Sequence, residues 1–275
     1  MPVLLGALSS LLIGVGDFLA RFAAQRTKAV TVVIAGSSAG LVVTAVLAPL
    51  IDGSPIVRDL AFGAISGVLS GLALALLYQG MTVASVAVVS PTASVFIALI
   101  PFMWGLSRGE SLGMWSLVGV AVVVPSLVLT SFSPELGDRA RLGLVLGVAS
   151  GLLFGVGFVF LGETSIASGV WPAVSQRGAS LVAMLALATI QRVPRLAPPS
   201  ARAFALVGGT IGAFAIVLFT LGAQHGSVSE VSVAASTYPA VTAVLAWKYD
   251  KDLLRWWQGI GIVGSIVGVA LIAVG

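Results

Sequence analysis

Residues 5–16 read LGALSSLLIGVG, and residues 146–157 read LGVASGLLFGVG; eight of the twelve positions are identical at an offset of 141. A second pair follows. Residues 85–94 read SVAVVSPTAS and residues 227–236 read SVSEVSVAAS, with six of ten positions identical at an offset of 142. The same offset aligns Gly80 with Gly222, Trp115 with Trp257 and Gly119 with Gly261. Repetition at a fixed spacing marks a duplicated unit, here residues 1–137 and 138–275.

Both copies are apolar. The chain is 58% hydrophobic and 9% charged, with a mean hydropathy of +1.12. A soluble domain carries about 25% charged residues. Lipid is therefore the expected solvent, and in lipid only helices and closed barrels satisfy the backbone. The apolar runs last about 20 residues, the length of a spanning helix. Ten are read, at 3–22, 29–50, 60–79, 84–106, 111–131, 142–162, 171–191, 202–225, 229–247 and 253–274. The fold expected is an all-α integral membrane protein of ten transmembrane helices. The first apolar stretch reads as a span and not as a cleaved signal, since no basic segment precedes it.

Each unit holds five segments. An odd count makes the two copies enter the membrane in opposite senses, related by a pseudo-twofold axis in its plane. The charges agree. The connection after segment 1 carries Arg21, Arg26 and Lys28, and its counterpart after segment 6 carries neither Lys nor Arg. After segments 2 and 4 stand only Arg58 and Arg108; their counterparts carry Arg192, Arg195 and Arg202, and Lys248, Lys251 and Arg255. With Arg139 and Arg141 in the central connection, the odd-numbered connections hold the basic residues. The positive-inside rule then puts both termini outside the cytoplasm.

The composition narrows the function. A net charge of +4 without a basic cluster does not suit nucleic acid. No cysteine is present, and the single histidine, His225, rules out a multi-histidine metal centre. No cofactor is implied. An intramembrane enzyme would need a paired-carboxylate, Ser/His or metal constellation that the sequence does not show, and no G-x-x-x-x-G-K-[ST] loop is present. All six tryptophans fall near segment ends, as interfacial anchors do. Small residues spaced by four, such as Gly63, Gly67 and Gly71, suit close helix packing.

Ten helices, the five-plus-five duplication and the segment from Gly80 through Glu110 resemble the drug/metabolite transporter superfamily in its EamA-like branch. In that resemblance Glu110 and Asp252 open the fifth helix of each half, Pro239 matches the proline of the ninth, Arg177 the arginine of the seventh, and Gly16–Asp17 through Arg21 the end of the first. It implies a secondary transporter, an exporter of amino acids, metabolites or toxic compounds, in the cell (inner) membrane. It also implies cytoplasmic termini, against the charge count; we follow the count. A passive channel or lipid-handling protein is the alternative.

Ionisable groups within spans are the functional candidates. Arg177 lies about 9 Å inside its helix from Trp171 at 1.5 Å per residue; its fork suits a carboxylate, or it serves a structural ion pair. With Gln176, Asp17, Tyr78 and Tyr238 it forms the expected substrate site. Asp17 and Arg21 share a helix face and can pair. Glu163, Glu230 and His225 are the candidates for proton coupling if desolvated. The expected partners are a small-molecule solute, membrane lipid and a coupling proton or cation, with the chain a monomer. Alkaline phosphatase fused to Gly275 should be active in cells; an inactive fusion would put the C-terminus in the cytoplasm.

Overall fold

The structure is a computed structural model that describes residues 1–84, 86–110, 112–131, 138–250 and 255–274. The described residues are almost wholly helical: α1 (Pro2–Ala24), α2 (Ala29–Leu47), α3 (Val57–Val83), α4 (Val86–Ser107), α5 (Met114–Ser131), α6 (Asp138–Gly162), α7 (Trp171–Gln191), α8 (Pro199–His225), α9 (Val228–Ala235), α10 (Tyr238–Asp250) and α11 (Trp256–Val274), with 3-10 turns at Ala48–Leu50 and Ile166–Ser168. Among them, eight helical spans are long and apolar enough to cross a membrane by length and composition. The chain is a multi-pass α-helical membrane protein. Asp252 lies outside the described residues.

The segment read as a single helix at 229–247 is two helices, and this corrects the sequence reading. Pro239 has no N–H to give the Ala235 carbonyl, and its ring crowds that carbonyl. The α-helix stops at Ala235, Ala240 N bonds Thr237 O at 3.0 Å, and α10 restarts at Tyr238. The freed segment is held by side chains. Thr237 Oγ1 sits 2.9 Å from Ser10 Oγ, and Thr242 Oγ1 donates to Gly14 O at 3.3 Å. In the other half, α4 runs unbroken through Pro91 and Pro101, and Ile97 stands where Pro239 would align.

Helix α1 packs on α8, and α6 on α3. Helix α2 packs on α7 and α8, and α7 on α2 and α3. Helix α4 packs on α6, as α9 and α10 pack on α1. Helices α5 and α11 pack on each other, and neither reaches the central cavity described below. Side chains repeat the pattern. Ser9 Oγ donates to Ala215 O at 2.8 Å, and Ser150 Oγ donates to Ala73 O at 2.8 Å, a shift of 141 in the donor and 142 in the acceptor. Gly6 and Gly14 lie against the carbonyls of Val231 and Tyr238; Gly147 and Gly155 lie against those of Val89 and Phe96.

Without a hydrophobic drive between helices in lipid, such backbone approaches supply the packing. Gly67 is the tightest on α3: a Cβ there would run into the Gln176 backbone. Gly67→Ala should lower stability in detergent by about 1–3 kcal/mol. Gly259→Ala, whose Cβ meets nothing within 4 Å, should leave the melting temperature unchanged.

Candidate functional site

Small residues at the crossings of α1, α2 and α8 leave space between the helices. Gly16, Gly36, Gly208, Gly209 and Gly212 face one cavity of about 90 Å³. Its walls come from α1, α2, α3, α4, α6, α7, α8, α9 and α10. Ile13, Leu74, Phe154, Phe158 and Ile216 make most of it apolar.

The polar part is small and asymmetric. Arg177, in the second turn of α7, crosses over Gly40; a Cβ at Gly40 would lie 3.2 Å from Arg177 Nε. One guanidinium arm donates to Gly212 O at 2.5 Å. Arg177 Nε is buried with no hydrogen-bond partner. Gln176 Nε2 donates to Ser66 Oγ at 3.1 Å, while Gln176 Oε1 has no partner. Across the cavity, Asp17 Oδ1 accepts from the Tyr78 hydroxyl at 2.9 Å. The Tyr238 hydroxyl is 3.5 Å from Ser90 O. Asp17 and Arg177 are 6% and 8% exposed and attract each other electrostatically. Among the described residues they are the carboxylate and the cation that line the cavity.

Arg177, Gln176, Asp17, Tyr78 and Tyr238 thus share one cavity. Arg21 lies outside it, with its guanidinium carbon 4.9 Å from the Phe22 ring centroid and 5.2 Å from that of Phe18. Glu163, Glu230 and His225 are elsewhere. Glu163 accepts from Trp104 Nε1 at 2.7 Å, Glu230 from Ser116 Oγ at 2.6 Å, and the exposed His225 ring nitrogen is 2.9 Å from Leu221 O.

Sequence reasoning did not single out the serines. Ser37 Oγ is 3.0 Å from Ser180 Oγ, and Ser70 Oγ lines the cavity without a partner. It also passed over a seam at one end of the bundle. Asp59 accepts from Ser165 N at 3.0 Å, Ser165 Oγ at 2.5 Å and Ser168 Oγ. Ser54 N bonds Ala167 O at 2.9 Å. Glu110 accepts from Ser227 Oγ at 2.6 Å and Ser229 Oγ at 2.5 Å. Every one of these ties joins even-numbered connections or the helix ends beside them. The cavity leans the other way: Ala20 near the end of α1, Val32 near the start of α2 and Tyr78 near the end of α3 line it.

Residues 141–274 match the EamA-like transporter family. The second half of the chain is thus similar to the EamA-like transporter family. Solute carrier family 35 member G1 of Mus musculus and of Homo sapiens are each 25% identical to it over 142 residues, half of this chain and 39% of theirs. The chain therefore aligns with well under half the length of these relatives. A solved crystal structure superposes with a TM-score of 0.74 at 17% identity, over 99% of this chain and 96% of that one, a likeness of fold. The EamA-like match begins with α6 and takes in Arg177; Asp17 and Tyr78 lie outside the matched residues.

Proposed function

We propose that this EamA-like protein is a secondary transporter, an exporter of small organic solutes, that works by alternating access and does no covalent chemistry. The observation that carries the reading is the buried Arg177, with an unpartnered Nε, opposite Asp17 in a mostly apolar cavity. A guanidinium kept at this depth is costly, and such groups mark substrate pathways. The solute's carboxylate or equivalent anionic group meets Arg177 and Gln176. Tyr78, Tyr238 and the phenylalanines face its apolar body, and Asp17 is the counter-charge to Arg177 in the empty site.

The chain is read as two five-helix repeats, 1–137 and 138–275, inverted relative to each other. The matching contacts Ser9–Ala215 and Ser150–Ala73, and Gly14–Tyr238 and Gly155–Phe96, support this, since shifts of 141 and 142 turn one of each pair into the other. Inverted repeats place the solute near the bilayer midplane and rock around it. The Asp59 and Glu110 seam closes the even-numbered end by exchangeable hydrogen bonds, so this conformer faces the odd-numbered connections. By their Lys and Arg those connections are cytoplasmic, in the cell membrane, and both termini are outside.

Removing one partner of a buried charged hydrogen bond costs about 2–5 kcal/mol, or about 30-fold or more in affinity. Arg177→Ala should abolish saturable counterflow in proteoliposomes while the protein stays monodisperse in detergent. Normal transport by this variant would refute the site. Flux that neither saturates nor shows counterflow in the wild type would favour a channel.

A further inference from the structure

The cavity holds one positive and one negative side chain, and both are buried. Empty, with Asp17 ionised, its net charge is zero. An anion entering beside Arg177 makes it minus one. In a low-dielectric interior an uncompensated charge is expensive. The imbalance is removed if Asp17 takes a proton as the anion binds. Protonated Asp17 alone, with Arg177 charged, leaves plus one. The two neutral states are therefore the empty site with ionised Asp17, and the anion-loaded site with protonated Asp17.

We propose that Asp17 is a proton site coupled to anion binding at Arg177, so that the protein moves a proton and a small monocarboxylate together, without net charge. This rests on the carrier reading above and adds the coupling ion and the charge class of the solute. The proton comes from water on the open side and adds to Asp17 Oδ2, while the Tyr78 hydroxyl continues to donate to Oδ1. It leaves to water on the far side as the anion departs. No other bond forms or breaks.

The surroundings of Asp17 suit this role. Tyr78 approaches from α3, Arg177 from α7 and Tyr238 from α10. Helix α8 presents Gly208 and Gly212 there, α9 Ala235 and α2 Gly36, none of them titratable. On α1 itself Arg21 lies one turn further on, its guanidinium within 5.2 Å of the Phe18 and Phe22 ring centroids. Glu163, Glu230 and His225 are bonded at the ends of their helices and away from the solute's path. The asymmetry between the halves agrees. At the aligned positions Asp17 faces Phe158 and Arg177 faces Gly36, so the charges belong to the solute and not to the repeat.

The probe is radiolabelled butyrate, an anion from pH 6 to 8. Its binding to the purified full chain should tighten by up to about tenfold per pH unit of acidification, the slope for one linked proton. Asp17→Asn, which keeps an acceptor for Tyr78, should bind butyrate with no pH dependence. In proteoliposomes an inward proton gradient should drive butyrate accumulation faster than into protein-free liposomes, which report the entry of undissociated acid, with the wild type and not with Asp17→Asn. Binding that is flat with pH, or that weakens on acidification as a carboxylate holding a solute ammonium requires, overturns the proton role and leaves the carrier reading standing. If butyrate binding is absent, or unchanged in Arg177→Ala, the carrier reading fails and the proton role with it. Should Asp17→Asn not fold, the wild-type slope and the gradient-driven accumulation decide.

Discussion

A guanidinium buried among apolar helices loses its water, and the protein must supply acceptors in its place. Arg177 meets this demand through backbone and not through a bonded carboxylate. Its arm is short of space because α2 and α8 cross closely, and Gly40 and Gly212 open room for it. The Gly212 carbonyl takes one of its protons. Its Nε is left without a partner, and a buried donor in that state costs about 1–3 kcal/mol. Residues that carry such a cost cluster where something else is to be bound.

The glycines and serines follow from the same constraint. Close crossings hold the helices together by backbone approach, and they bound a cavity whose walls are mostly glycine and aliphatic side chain. The aromatic faces of Phe158 and Phe219, 4.2 Å apart, stiffen one wall. The break between α9 and α10 places Ala235 and Tyr238 at the cavity, and side chains of the broken segment tie it to Ser10 and Gly14 of α1. Discontinuous helices are tolerated in membranes where they line a cavity and find such partners. The peripheral pair α5 and α11 lines no part of the cavity, although it too packs by backbone approach, with Gly119 against the Gly268 carbonyl.

Most of the architecture could be read from periodicity, because lipid sets the length of each span and the duplicated glycines fix how spans pair. Asp17, Tyr78, Gln176, Arg177 and Tyr238 stood out because polar groups are rare in such spans, and all five reach one cavity. The break at Pro239 was underread: a proline inside a span is usually a kink, and only the competing hydrogen bonds of Ser236, Thr237 and Thr242 turn it into a stop. The seam at Asp59 left no signal, since its partners Ser165 and Ser168 are more than 100 residues away and serine is common everywhere in the chain. Glu163, Glu230 and His225, which the sequence offers for proton coupling, are ionisable like Asp17 but do not reach the cavity. Depth separates them, and depth within a span is blurred by uncertain helix ends.

The central claim is a solute site at Arg177 and Asp17 that opens to one side of the membrane at a time. The chain has no cysteine, so a single Ser70→Cys places one thiol in the cavity where an unpartnered hydroxyl now points. Labelling by a membrane-impermeant thiol reagent, applied from either side of oriented proteoliposomes, tests the claim directly. The account predicts reaction from the side of the odd-numbered connections in the conformer described, with slowing when transported solute is present. Equal labelling from both sides at rates that solute leaves unchanged would contradict it.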